Sequence, residues 1–337
     1  MFRRTAFAAS ALGLSLAFFT GCATVEPAQL GQKVLDGPAY PVAEDRNELG
    51  VMSFNLRTPF ILDFHNHWNA RKAVAVNTIR QFQPDVLGTQ ECRTSQAEYL
   101  QKHLPEYDFI GAGRDDGKQG GEMTAVFYRK NRVTPLDSGH FWLSKTPHKP
   151  GSKSWGSWWP RMATWVEFQP KLGGEPFYVF NVHLDSQSAQ ARREGAKLLR
   201  KQILAIAGDN PVVVTGDFNT DAGSRPYRAL LEGDGRGPAF VDTFREIHPR
   251  RLADEGTHGG FGGGRGGPRI DWILASGDLG VRFAGINYNH DRGNYPSDHR
   301  PVIAVLELDI PTLAAEDDAA DGATLVDRDE PTRPVTQ

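Results

Sequence analysis

Cysteine is nearly absent from this chain: its 337 residues include two, Cys22 and Cys92. The disulfide lattice that props up small secreted domains is therefore excluded, and the fold has to stand on a hydrophobic core. An excess of charge of one sign is missing as well. Lys and Arg number 38 against 41 Asp and Glu, and residues 311–337 alone hold seven acids and two bases, so the rest of the chain is close to neutral. A neutral body offers no broad electrostatic footprint for nucleic acid, although a local basic cleft is still compatible with it. A transmembrane helix needs about 20 consecutive apolar residues, and the apolar run at residues 6–19 falls short of that. With 39% apolar and 23% charged residues and seven Trp, the composition excludes wholesale disorder and a multi-span membrane protein. The length fits two average domains or one large α/β core.

What is present begins with a leader. Arg3 and Arg4 precede the apolar run, as in an export signal, and the run ends in Phe19-Thr20-Gly21-Cys22, which resembles a bacterial lipobox. Residues 1–21 are expected to be a signal peptide and Cys22 the lipidated new N-terminus. Residues 22–46, with Pro, Gly and Ala but no periodicity, read as a lipid-anchored linker. An ordinary cleaved signal followed by an incidental Cys is the alternative. The anchor implies the membrane as a partner and the cell envelope as the location, facing the periplasm or the exterior. Residues 311–337 read as an acidic disordered tail, which leaves residues 47–310 as the folded domain, expected to be a monomer. Cys92 follows Glu91 and has only Arg93 as a basic neighbour, so it reads as a buried structural thiol.

Within the domain, short apolar runs alternate with helical patterns. Strands are expected at residues 48–55, 86–89, 123–129, 163–168, 177–182, 211–215, 269–274 and 301–308. Helices are expected at 69–83, stopped by Pro84, at 96–103, and at 189–206, where Ala196, Leu199, Ile203 and Ala207 share a face. Strands and helices recurring along one chain argue for stacked sheets flanked by helices.

Polar residues that would pack poorly stand at the ends of these strands, where loops can build a site. In Val212-Val213-Val214-Thr215-Gly216-Asp217-Phe218-Asn219 a β-branched strand ends in a Gly that lets the chain turn. Asp217 and Asn219 then lie two positions apart on one side, able to orient a water and hold a phosphoryl oxygen or a metal. An Asx turn closing a strand is the plainer reading of the pair. Arg269-Ile270-Asp271-Trp272-Ile273-Leu274 puts an acid in the middle of an apolar strand. A buried lone carboxylate costs several kcal/mol, so Asp271 calls for a partner, and His299 of Ser297-Asp298-His299-Arg300-Pro301 is the natural one. A salt bridge between Asp298 and Arg300 is the alternative for that loop.

Six stretches in this order resemble the endonuclease/exonuclease/phosphatase superfamily, the DNase I-like proteins. They are Ser53-Phe54-Asn55-Leu56-Arg57, Thr89-Gln90-Glu91, Asn181-Val182-His183-Leu184-Asp185, Thr215-Gly216-Asp217-Phe218-Asn219, Arg269-Ile270-Asp271-Trp272 and Ser297-Asp298-His299-Arg300-Pro301. The resemblance spans roughly residues 48–310 and makes residues 47–310 a catalytic domain of this type. It implies a four-layered α/β sandwich of two packed mixed β-sheets flanked by helices, with the site at one edge. It also implies roles. Glu91 is the principal metal ligand, supported by Asn55 and Asp298; Asp217 orients or deprotonates the attacking water; Asn219 holds the phosphate. His299, polarised by Asp271, contacts the phosphoryl oxygens, and His183 is a second phosphate contact or a leaving-group acid. Where some relatives carry a carboxylate, this chain has Arg57, which weakens a second-metal set and leaves Arg57 as a phosphate clamp. An oxygen-rich donor set of this kind suits Mg²⁺ or Mn²⁺ over Zn²⁺.

Substrate-binding candidates lie between these motifs. Phe141-Trp142-Leu143 and the run from Trp155 through Trp158-Trp159-Pro160-Arg161 set aromatic faces beside basic residues, to stack on a base or sugar or simply to pack a loop. Arg161 is the preferred basic contact there, whereas Arg193 reads as a solvated or salt-bridged helix residue. Gly256-Thr257-His258, ahead of a glycine-rich stretch, resembles a near-site element of relatives and makes His258 a further candidate. The leading expectation is a metal-dependent phosphoesterase that hydrolyses a small phosphate ester by in-line attack of water outside the cytoplasm. A secreted DNA or RNA nuclease and a catalytically silent binding lipoprotein are the alternatives.

Overall fold

In the computed structural model the described residues are 35–45, 47–232 and 239–308. Cys22, the leader and the acidic tail lie outside them. Two six-stranded sheets organise the domain. The first runs β11-β12-β1-β2-β4-β3, from β1 (Glu48–Asn55), β2 (Val86–Gln90), β3 (Tyr107–Ile110), β4 (Val126–Arg129), β11 (Gly280–Ile286) and β12 (Val302–Glu307). The second runs β5-β6-β7-β8-β10-β9, from β5 (Val133–Trp142), β6 (Met162–Pro170), β7 (Phe177–His183), β8 (Val212–Asp217), β9 (Phe240–Asp242) and β10 (Asp271–Ser276). Each sheet has one parallel pair, β1 with β2 and β7 with β8, and is otherwise antiparallel. A parallel pair needs a long crossover. Here these are α1 (Trp68–Phe82) and α3 (Ala189–Ala207).

The layers follow from period-two side-chain alternation. Val51 and Val86 of one sheet and Val179 and Val213 of the other meet between the sheets. Met52, Phe54 and Leu87 face the opposite way, onto Ile79 and Phe82 of α1 and Leu100 of α2 (Thr94–His103). On the other outer side Phe180, Val182 and Val214 pack against Leu199 and Ile203 of α3 and Leu230 of α4 (Arg225–Leu231). The result is a helix, sheet, sheet, helix sandwich, as expected. Helix ends obey local chemistry: Ser188 caps α3 by accepting from Ala191 N, and Gln83, left-handed at φ 51°, stops α1 before Pro84.

Several readings of the sequence change in three dimensions. Residues 35–45 pack on the domain: Leu35 and Ala43 are buried, and Tyr40 Oη donates to Ile286 O at 2.9 Å. Their irregular backbone carries no periodic signal, which is why they read as linker. Gly216 lies inside β8 and makes no turn. It is needed because a Cβ there would collide with Val182 O on β7. Asp271 opens β10 and is not mid-strand, because the strand continues to Ser276. The aromatic Trp142 belongs to β5 and is buried, with Nε1 donating to Arg114 O at 2.6 Å, so its place is packing.

Candidate active site

Strand register gathers the site. Asn55 pairs with Gln90 at the C-terminal ends of β1 and β2, and His183, Asp217 and Asp271 stand side by side across β7, β8 and β10. Under them a polar seam joins the two sheets: Asn181 Oδ1 accepts from Gln90 Nε2 at 2.7 Å and Thr215 Oγ1 at 3.1 Å, and its Nδ2 donates to Thr89 O at 2.8 Å. Gly88 allows this approach, since a Cβ would overlap Thr215 and Asn181. The seam locks the ends of both sheets together and so fixes the floor of a cavity of about 440 Å³.

Three non-glycine residues at that edge adopt left-handed backbone just beyond their strands: Arg57 (φ 55°), Glu91 (φ 53°) and Asn219 (φ 50°). Such conformations cost about 1–2 kcal/mol each and persist where the surroundings hold a functional geometry. All three line the cavity, together with Asp298, His299 and His258.

Asp217 is the hub. Its Oδ1 accepts from Asn219 N at 2.9 Å, and its Oδ2 accepts from Asn55 Nδ2 at 3.0 Å and lies 3.4 Å from His183 Nε2 and 3.8 Å from His299 Nε2. Burial, and then the Asp271 charge, push its carboxyl up to about 7. His299 Nδ1 stands 2.9 Å from Asp271 Oδ2, the partner its sequence called for. Burial alone would lower the imidazole, but Asp271 and Asp217 override it and raise His299 to about 10. His183 is held well below its ordinary value by burial and by the Arg161 guanidinium, whose Nη1 is 3.0 Å from Nδ1.

Glu91 accepts from Thr58 N at 3.0 Å and from Asn55 Nδ2 at 3.2 Å. Asn55 Oδ1 accepts from Arg57 N at 2.9 Å, and the amide presents its donor to the two carboxylates. The backbone N–H on one side and the carboxylates on the other require that orientation. Asp298 lies 3.8 Å from Arg57 Nε and 3.9 Å from His258 Nε2. Arg57 itself is gripped by Asp63 at 3.0 Å. Arg300 turns away from Asp298, its Nη1 donating to Ser297 O at 3.2 Å, and Arg193 pairs with Glu194. Cys92 is fully buried and its thiol is pushed up to about 12.

Asp217, Asp271 and His299 offer ligand atoms within 4.8 Å of one another. His299 meets Asp271 through Nδ1 and turns Nε2 toward Asp217. Glu91 and Asp298 line the same cavity, and with their carboxylates the donor set is oxygen-rich, the kind that suits a hard divalent cation.

The model of the Endonuclease/Exonuclease/phosphatase family matches residues 52–299. This chain belongs to that family. Family members are hydrolases of phosphate esters and generally use divalent metals. A structure of an endonuclease/exonuclease/phosphatase family protein from Bacteroides thetaiotaomicron is 33% identical, covers 78% of this chain and 98% of its own, and superposes with a TM-score of 0.71. A mannosyl-6-phosphatase from the same organism is 33% identical, with 77% and 99% coverage and a TM-score of 0.69. Nocturnin of Drosophila melanogaster is 25% identical over 287 residues, 73% of this chain but 43% of that protein.

Sequence reasoning missed several members of this family site. Arg71 is buried in α1 and donates to the carbonyls of Leu56, Arg57, Asn66 and Pro296, tying the Asn55 loop to the Asp298 loop. It stood in the sequence as a polar position of an amphipathic helix. Arg114 and Glu122 line the cavity as an ion pair and carried no motif. Of the aromatic run, Trp158 and Trp159 are exposed, and only Trp159 borders the cavity. Phe60, Ile61, Leu62 and Phe64, which follow the cavity-lining Arg57 and Thr58 in sequence, are exposed too.

Proposed function

We propose that this protein is a divalent-metal-dependent phosphoesterase that hydrolyses a small organic phosphate by direct attack of water. The observation that carries the reading is one cavity in which a carboxylate poised near neutrality, Asp217, faces a histidine held protonated by Asp271, beside the oxygen donors Glu91 and Asp298. Asp217 orients the water and accepts its proton. Asn219, whose Nδ2 now donates to Leu184 O at 3.1 Å, holds a phosphoryl oxygen. His299 donates from Nε2 to the developing negative charge. His183, kept neutral, serves as a hydrogen-bond donor to the phosphate and not as the leaving-group acid, and Arg161 and His258 add donors at the rim. Glu91 and Asp298 would hold a Mg²⁺ or Mn²⁺ ion, which would neutralise charge on the phosphoryl oxygens.

A confined cavity on a neutral body favours a small ester over long nucleic acid. The 33% identical relative named as a mannosyl-6-phosphatase supports a monoester. The leader and Cys22 support action in the cell envelope from a lipid anchor. An amphiphilic ester such as a phospholipid headgroup is a second reading, favoured by the exposed apolar side chains of Phe60, Ile61, Leu62 and Phe64, which follow the cavity-lining Arg57 and Thr58.

Hydrolysis of p-nitrophenyl phosphate, bis-p-nitrophenyl phosphate, phospholipid vesicles and plasmid DNA, each with Mg²⁺, Mn²⁺ or EDTA, tests the proposal. EDTA, Glu91→Ala and His299→Ala should each lower turnover at least a hundredfold. Activity that survives all three refutes the site. Preference for plasmid with steep loss in salt identifies a nuclease instead, and binding without any turnover a silent module. Incorporation of radiolabelled palmitate, abolished in Cys22→Ser, tests the anchor.

A further inference from the structure

We propose that Arg114, Glu122 and Trp159 form a leaving-group subsite that receives a vicinal diol, so that the alcohol released is a sugar or a similar polyol. The proposal rests on the phosphoesterase reading above. Between β3 and β4 the chain makes a tight loop closed by backbone bonds from Arg114 N to Glu122 O (2.9 Å), Asp115 N to Gly120 O (3.0 Å) and Gly113 N to Lys118 O (2.9 Å). This pairing sets Arg114 and Glu122 side by side, and Arg114 Nη1 donates to Glu122 Oε2 at 2.5 Å. Both side chains are close to nine-tenths buried, at 11% and 12% exposure, yet both line the cavity that holds Asp217 and His299. Arg114 Nε, although buried, has no hydrogen-bond partner among the described residues.

The connection to the chemistry runs through Arg161. A small recess shared by Arg114, Glu122, Arg161 and His183 lies between the loop and the phosphate end, and Arg161 Nη1 touches His183 there. A group esterified to a phosphate at Asp217 and His299 therefore has this loop within its reach.

Charge decides what fits. An unopposed arginine would select a second phosphate or a carboxylate. Here Glu122 neutralises Arg114, Asp115 at the same lip adds another negative group, and Arg161 across the recess is itself paired with Asp185 at 3.6 Å. What is left is a fixed donor beside a fixed acceptor. That array matches two neighbouring hydroxyls, one giving its proton to the carboxylate and one receiving from the guanidinium. Trp159, with its ring centre 5.9 Å from Arg114 Cζ and its side chain exposed, adds a flat apolar face for the C–H side of a ring. Replacing a buried ion pair by well-packed apolar residues is often neutral or stabilising, so stability alone does not account for this pair.

The test compares glucose 6-phosphate and mannose 6-phosphate, which carry vicinal diols, with p-nitrophenyl phosphate, which has none, using the full chain. Glu122→Gln and Trp159→Ala should each lower the ratio of kcat/KM for the hexose phosphates over p-nitrophenyl phosphate at least tenfold, mainly through KM. Equal losses on both kinds of substrate would mean a structural role and overturn the proposal. A wild-type preference for fructose 1,6-bisphosphate over both hexose monophosphates would make this an anion subsite, and overturn it too. Isothermal titration with the hexose phosphates separates this idea from the reading it rests on. If no ester is turned over but Glu122→Gln weakens hexose phosphate binding tenfold, the subsite stands and the phosphoesterase falls; unchanged affinity overturns the subsite whatever the turnover.

Discussion

Asp271→Asn is the sharpest perturbation of this site. Asp271 is the leading group that holds His299 protonated, across 2.9 Å, at a pKa of about 10. A rise from the ordinary 6.5 to about 10 represents about 5 kcal/mol of preference for the imidazolium. With the carboxylate replaced by an amide, the imidazole relaxes toward its ordinary range. At pH 8.5 a histidine of pKa 6.5 is charged in about one molecule in a hundred, against nearly all of them in the wild type. The variant should therefore lose about a hundredfold in kcat/KM at pH 8.5 and far less at pH 6, where the ring is charged in both proteins. The acid limb moves the same way, because Asp271 also helps to hold Asp217 up at about 7, so the whole bell shifts toward acid. Inorganic phosphate release between pH 5.5 and 10.5 reads both limbs, with circular dichroism to check folding. Stability carries a matching sign. The raised His299 pKa stabilises the fold fully below 6.5 and loses that contribution as pH climbs through about 10, and Asp271→Asn should flatten this part of the denaturation profile. An alkaline limb that stays near 10 in the variant, or an equal loss at pH 6 and 8.5, refutes the assignment.

Other expectations concern the frame around the site. Arg71→Ala removes four hydrogen bonds and strands the buried carbonyls of Leu56 and Pro296, and should cost about 3 kcal/mol in urea denaturation, while Arg71→Lys, lacking the fork, recovers only part of it. Trp272→Ala removes a fully buried ring stacked on Phe218 at 4.2 Å and should cost about 3–5 kcal/mol in the same assay. Cys92, buried and with its thiol raised to about 12, should resist Ellman's reagent until the protein unfolds. Rapid labelling of a native Cys22→Ser chain, in which Cys92 is the one thiol, would place it at the surface.

The legible parts of this protein share a cause. Strands such as Val212–Asp217 and helices such as Ala189–Ala207 are written in local periodicity, and the polar residues after them break that periodicity in a way burial alone would not tolerate. The four-layered packing of apolar faces, the pairing of Asp271 with His299 and the inert Cys92 follow from the same logic. Strands Val133–Trp142 and Gly280–Ile286 were missed because both lie at sheet edges, where one face is solvated and the apolar alternation fades.

By itself, then, the amino-acid order determined which side chains could do phosphate chemistry, and that two stacked sheets would carry them, since residue type and period are local properties. Only the tertiary structure decided that Gly216 and Gly88 are spacers, that Asn55 is a donor between two carboxylates, and that Arg71, Arg114 and Glu122 join the site. Those facts depend on which strand lies beside which and on what approaches from the opposite sheet. Such contacts are set by long-range packing, which leaves no local trace in the chain.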